Sequence, residues 1–203
     1  MSFSQFFGDQ SPFQVIVAAV AFGTAVYTFY KSFLERARIR LFLGDRVGLV
    51  LSASGGCTKF HLRGSLVNHA IKAGTLHRLE ACIRTPSNVS HSYEWNLFFA
   101  YVPGTLNVQP AGNPIPLSVA GKSSQLLLAE FQLMPISAPI PGWSAGRYKL
   151  EITGWVNKAN RSQSSNLAAV IHFSLEAAQA LQLASKSPGQ ATVIDVPVEE
   201  WVA

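Results

Sequence analysis

Residues able to do chemistry are sparse in this 203-residue chain, and they do not gather into a recognisable set. Five histidines, His61, His69, His77, His91 and His172, are scattered over expected strands and loops. His69 and His77 flank the first well-defined turn, and His61 is expected to point outward beside Lys59 and Arg63, which is enough to outline a weak metal or anion site. No helical pattern carries two histidines four apart, and no Cys or carboxylate completes a ligand set. A metal-dependent hydrolase built on His61, His69 or His77 is therefore the weakest reading the pattern allows, and no residue is assigned as a metal ligand.

Carboxylates fare no better. Glu35, Asp45, Glu80, Glu94, Glu130, Glu151, Glu176 and Asp195 form no close pair along the chain, so general acid–base work by two carboxylates is not expected. The adjacent Glu199 and Glu200 sit in the C-terminal tail and read as a solvated end. No Gly-x-Ser-x-Gly elbow is present, and Gly44, Gly48, Gly55 and Gly56 make neither a phosphate loop nor a dinucleotide fingerprint; Gly55-Gly56 reads as a hairpin turn. Cys57 and Cys82 are ordinary reduced residues if the domain is cytoplasmic, and a disulfide between them becomes conceivable only with the topology reversed. Asn88-Val89-Ser90 and Asn160-Arg161-Ser162 match the glycosylation triplet, which carries meaning only outside the cytoplasm. The expectation is a protein with no catalytic residue and no cofactor.

The elements that would position any site begin with a membrane-type helix. Residues 13–30 hold no charged side chain and cover about 27 Å at the helical rise. Extension to residue 34, with the Lys31 ammonium snorkelling outward, makes the segment 12–34 long enough to cross with some tilt. A buried helix of a soluble domain would show a polar stripe, and this run has none. A cleaved secretory signal would place its positive charge before the apolar run, whereas residues 1–11 contain no Lys or Arg. Instead Lys31, Arg36, Arg38 and Arg40 follow it, which predicts a short N-terminal tail outside and the rest of the chain inside, on a cytoplasmic (inner) membrane. Ala19 and Gly23 share a helix face at the four-residue spacing that lets a neighbouring helix approach closely.

The formal charge of +5 comes largely from the basic segment 35–44 and a scatter of Lys and Arg, with no later block of like charge. That balance suits anionic headgroups at the membrane surface better than nucleic acid, which would want a basic stripe interleaved with aromatics. Lys31, Arg36, Arg38 and Arg40 are the expected lipid-surface contacts, and no nucleic-acid partner is expected.

From 45 to 174 the pattern turns to period two. Phe60, Leu62, Gly64 and Leu66 alternate with Lys59, His61, Arg63 and Ser65, and Tyr148, Leu150, Ile152, Gly154 and Val156 alternate with Arg147, Lys149, Glu151, Thr153 and Trp155. Further strand-like runs lie near 47–53, 75–84, 91–102, 115–119, 124–133 and 166–174. Turn residues separate them at 54–56, 73–74, 85–88, 103–104, 121–123 and 141–142. Eight short strands with no helical pattern between them predict an antiparallel sandwich with Greek-key connections.

The segment Ser144-Ala145-Gly146-Arg147-Tyr148-Lys149-Leu150 resembles the turn and penultimate strand of immunoglobulin-like and fibronectin-like domains. The resemblance implies a disulfide-free immunoglobulin-like sandwich in which Tyr148 closes the corner by hydrogen bonding back to the chain. It carries a fold class and no activity.

After residue 174 a short helix is expected, with Ser174 as its cap, ending before Ser187-Pro188-Gly189. The tail 191–203 is extended and apolar, with Val193, Ile194, Val196, Val198 and Trp201; it either packs back as an edge segment or docks on another subunit. In the run 93–101, Tyr93, Trp95, Leu97, Phe99 and Tyr101 share one face by alternation, leaving Phe98 outward. Phe98, Trp155 and Trp201 are the candidate partner patch; the alternative is that the C-terminal helix or tail covers them.

Taken together the residues predict a mainly β, single-pass membrane protein. It would be a non-catalytic interaction or bracing module, plausible as an accessory subunit of a larger integral-membrane complex. The rival is an envelope-facing module that binds lipid or carbohydrate.

Overall fold

The computed structural model describes residues 12–51, 57–101, 108–136, 138–139, 141–158, 160, 162–184 and 192–202. The N-terminal tail, the turns expected at 54–56, 103–104 and 187–189, and Arg161 lie outside the described residues. Among those described, helix α1 spans Pro12–Phe29 and widens into one π-helical turn, Tyr30–Leu34. Strands follow at β1 (Ile39–Leu51), β2 (Cys57–Asn68), β3 (Gly74–Arg84), β4 (Ser90–Tyr101), β5 (Val108–Gly112), β6 (Leu117–Val119), β7 (Ser124–Leu133), β8 (Gly146–Val156) and β9 (Leu167–Leu175). Helix α2 (Ala177–Ala184) and strand β10 (Thr192–Val202) complete the chain.

Period-two alternation makes a wall with one dry face, and the pairing decides how the wall bends. The strands run β4-β7-β2-β1-β10-β9-β8-β3, all antiparallel, and β3 then pairs back onto β4 through Glu80–Arg84 against Glu94–Ser90. The sheet therefore closes into an eight-stranded barrel. This corrects the expected immunoglobulin-like sandwich and, with it, the suggested kinship: a sandwich leaves two sheets with free edges, whereas here β1–β10 and β3–β4 pairing joins them. Tyr148 still closes a corner as the motif implied. Its hydroxyl donates to the Ser144 carbonyl at 2.8 Å and accepts the Ser144 N–H at 2.9 Å.

The tail expected at an edge is the strand that completes the barrel. β10 pairs β1 from Thr192 to Pro197 and then β9 from Val198 to Val202. Pro197 sits where the ladder changes partner, which is where a missing N–H is least damaging. β1 likewise starts at Ile39, within the segment expected to be a basic linker.

One seam is only half zipped. Below Glu80 and Glu94, strands β3 and β4 diverge, and the chain 108–119 enters the gap as a wedge, β5 on β4 and β6 on β3. Side chains fill the interior: Phe60 stacks on Phe131 with centroids 4.9 Å apart, and Tyr148 on Phe173 at 5.3 Å. Leu49, Leu62, Leu66, Leu79, Ile83, Leu127, Leu150 and Ile171 are essentially inaccessible around them. Each such residue contributes about 1.5–3 kcal/mol by leaving water, so the barrel is a packed core. α2 adds Ala180 and Leu183 to the buried set.

Candidate membrane and partner surfaces

Helix α1 carries the membrane reading on its own surface. None of its residues is buried, and the segment Pro12–Ser32 is long and apolar enough to cross a membrane. Its two threonine hydroxyls need no partner in lipid, because Thr24 and Thr28 donate to the carbonyls of Val20 and Thr24 at 2.8 Å. Ala19 and Gly23 are both exposed, and a Cβ on Gly23 would meet nothing within 4 Å. That face is open to a second helix.

Between helix and barrel lies a short, tightly bonded joint. Lys31 Nζ lies 2.9 Å from Glu35 Oε1, and Arg38 Nε lies 3.8 Å from the same oxygen. The hydrogen bond from Lys31 holds the Glu35 carboxyl below its usual range against the opposing effect of burial, with Lys31, Arg38 and Lys122 adding their charge. Asn68, 1 % exposed, gathers the neighbouring segments. Its carboxamide oxygen accepts the N–H of Arg38 and of Ala70, and its NH₂ donates to the carbonyls of Lys72, Val119 and Ala120. Arg36, Arg38 and Arg40 remain exposed around this knot. A cleft of about 470 Å³ opens beside Arg38 and Arg40, floored by Ile39, Leu41, Val156 and Leu167.

The structure does not bring the expected aromatic patch together. A bulge between Trp95 and Leu97 inverts the alternation of β4, so Phe98 turns toward the core and its ring meets Trp95 at 4.3 Å. Trp155 does point outward, yet only 9 % of it is exposed. The loop after β8 folds over it, where Gln163 accepts its indole N–H at 2.7 Å, and the Arg78 guanidinium stacks on the ring at 4.8 Å. β3 separates the strands of Phe98 and Trp155. Trp201 pairs through its backbone with Ile171 in β10, and its side chain lies outside the described residues.

The histidines stand apart. His61 is on the outer wall of β2, His69 is exposed in the turn after β2, and His77 lines a cleft of about 240 Å³ at the apex of the β3–β4 seam with Arg78, Glu94, Trp95 and Trp155. Among the described residues no three of His, Cys, Asp and Glu are placed to share a metal ion. Cys57 and Cys82 are both free thiols; Cys57 is inaccessible, and burial pushes its pKa up to about 12.

One cluster was invisible in the sequence because its members lie on three strands. Glu130 of β7 is 5 % exposed on the outer wall and collects Lys59 Nζ at 2.9 Å, His61 Nε2 at 3.2 Å and Asn96 Nδ2 at 2.8 Å. The His61 ring in turn packs on Phe99 with centroids 4.8 Å apart. Burial works to raise the Glu130 pKa, but hydrogen bonds from His61, Lys59 and Asn96 outweigh it and hold the carboxyl at about 2. With every oxygen committed to the wall, this carboxylate reads as an internal tie between strands. No protein-family model and no curated protein matches the chain.

Proposed function

We propose that this protein is a single-pass membrane anchor bearing a β-barrel interaction module, with the barrel on the cytoplasmic side and the chain serving as a non-catalytic accessory subunit of a larger integral-membrane assembly. The observation that carries this reading is the contrast between α1, exposed on every side, and a barrel whose interior its own side chains occupy. A helix with a small-residue face and no buried residue is suited to lateral association in lipid. The basic residues after the helix support the inward orientation.

The anchor face is the place to test it. In native membranes the Ala19→Leu/Gly23→Leu double variant should lose its copurifying membrane protein while the barrel keeps a cooperative unfolding transition. Undiminished copurification would leave the helix a tether and move the contact elsewhere.

A further inference from the structure

We propose that the end of the barrel nearest α1 rests on an anionic bilayer surface, so that the domain is held in one orientation instead of swinging on its tether. The inference builds on the anchored reading above. Only residues 35–38 separate the π-helical turn from β1, and four residues span at most about 14 Å. The rim is therefore within one or two Debye lengths of the headgroups, each about 8 Å at physiological salt.

Three basic segments lie on that rim, beside the loop that follows β8: the linker with the first residues of β1 (35–40), the turn 69–73 and the turn 120–123. They present Arg36, Arg38, Arg40, Lys72 and Lys122, all exposed, and their acidic residue is Glu35, already neutralised by Lys31 and Arg38. Two turns at the opposite end, 85–89 and 134–145, contain no Lys or Arg; the exposed Arg84 and Arg147 border them, and Arg147 is paired with Glu199 and Glu200. The asymmetry matches a surface of negative potential on the α1 side.

One apolar residue stands among these cations. Ile71, at the tip of its turn beside Lys72, is 49 % exposed. An apolar side chain flanked by cations fits the boundary between headgroups and acyl chains. The rim is also stiff enough to act as one surface. Asn68 ties the linker to both turns, the Lys122 N–H donates to the Ala70 carbonyl at 2.8 Å, and the His69 N–H donates to the Arg38 carbonyl at 3.1 Å.

Full-length protein carrying Cys82→Ser, with the buried Cys57 left in place, is given one accessible cysteine by Ile71→Cys or, at the opposite end, Val89→Cys. Each is labelled with an environment-sensitive fluorophore and reconstituted into vesicles of phosphatidylcholine alone or of equal parts phosphatidylcholine and phosphatidylglycerol. At position 71 the emission should move to shorter wavelength in the phosphatidylglycerol vesicles and return in strong salt. Position 89 should not respond, and adding Lys72→Glu and Lys122→Glu should abolish the shift at 71.

A water-like signal at 71 in protein that floats with the vesicles would overturn the docking and leave the anchor standing. A shift of equal size in both vesicle types would overturn the charge-based contact. Protein that does not float would remove the anchor and this inference together.

Discussion

Substituting Ala for Gly121 should destabilise the folded protein by about 3 kcal/mol or more. A Cβ built there lies 1.6 Å from the Ile71 carbonyl oxygen and 2.4 Å from its carbon. Both are main-chain atoms, so no rotamer change relieves the overlap; the turns 69–73 and 120–123 must move apart. That movement strains the Lys122–Ala70 hydrogen bond and the Asn68 contact to Ala120, leaving buried polar groups poorly paired. Gly142 provides the comparison, since a Cβ there meets nothing within 4 Å. Gly142→Ala should be neutral or slightly stabilising, by up to about 1 kcal/mol, through the unfolded chain. Urea unfolding of full-length variants in detergent, followed by circular dichroism, measures both. Equal midpoints for the two variants would mean that the turns do not cross as closely as described.

Acid should loosen the barrel through Glu130. Its carboxyl falls from 4.5 to about 2 on folding, so the unfolded chain binds the proton more readily than the folded one. The stabilisation is complete above about pH 4.5 and is lost as pH falls from there through 2. By linkage it amounts to about 3 kcal/mol at most. Glu35 and Glu151, held low by hydrogen bonds from Lys31 and Lys149, act in the same direction. Glu130→Gln isolates the one contribution: it should lower stability at neutral pH, because Lys59 loses its counter-charge, and should flatten the loss between pH 4.5 and 2. An unchanged acid profile in Glu130→Gln would place the acid sensitivity on other groups.

Local pattern carried much of the architecture. The alternation around Phe60 and Leu62, and around Tyr148 and Leu150, assigned the buried faces correctly because one side of each strand meets a dry core. Closure was not legible in the same way. A sandwich and a barrel ask for identical alternation, and the difference rests on β10 meeting β1 and β3 meeting β4, pairings between residues far apart in the chain. The apolar tail 191–203 read equally well as an edge segment or as a contact with another subunit, and the change of ladder partner at Pro197 explains its place inside a closed wall. The β4 bulge likewise moved Phe98: one extra residue turns it from the outer face toward the core, and nothing in Glu94-Trp95-Asn96-Leu97 signals it. Glu130 was passed over because its partners Lys59, His61 and Asn96 lie on two other strands.

The long apolar helix was the most legible element, since length and apolarity are properties of the run itself. The joint beneath it was less so. Asn68 looks like any polar residue at a strand end, and its role as the knot between linker and turns follows from burial and from carbonyls about fifty residues away.

Association in the membrane is the central claim, and the mass of the particle extracted from native membranes tests it most directly. Gentle detergent extraction followed by light scattering should give a protein mass well above that of the 22.0 kDa chain, with a second membrane protein present in fixed ratio. A homogeneous particle containing one 22.0 kDa chain and detergent alone would contradict it.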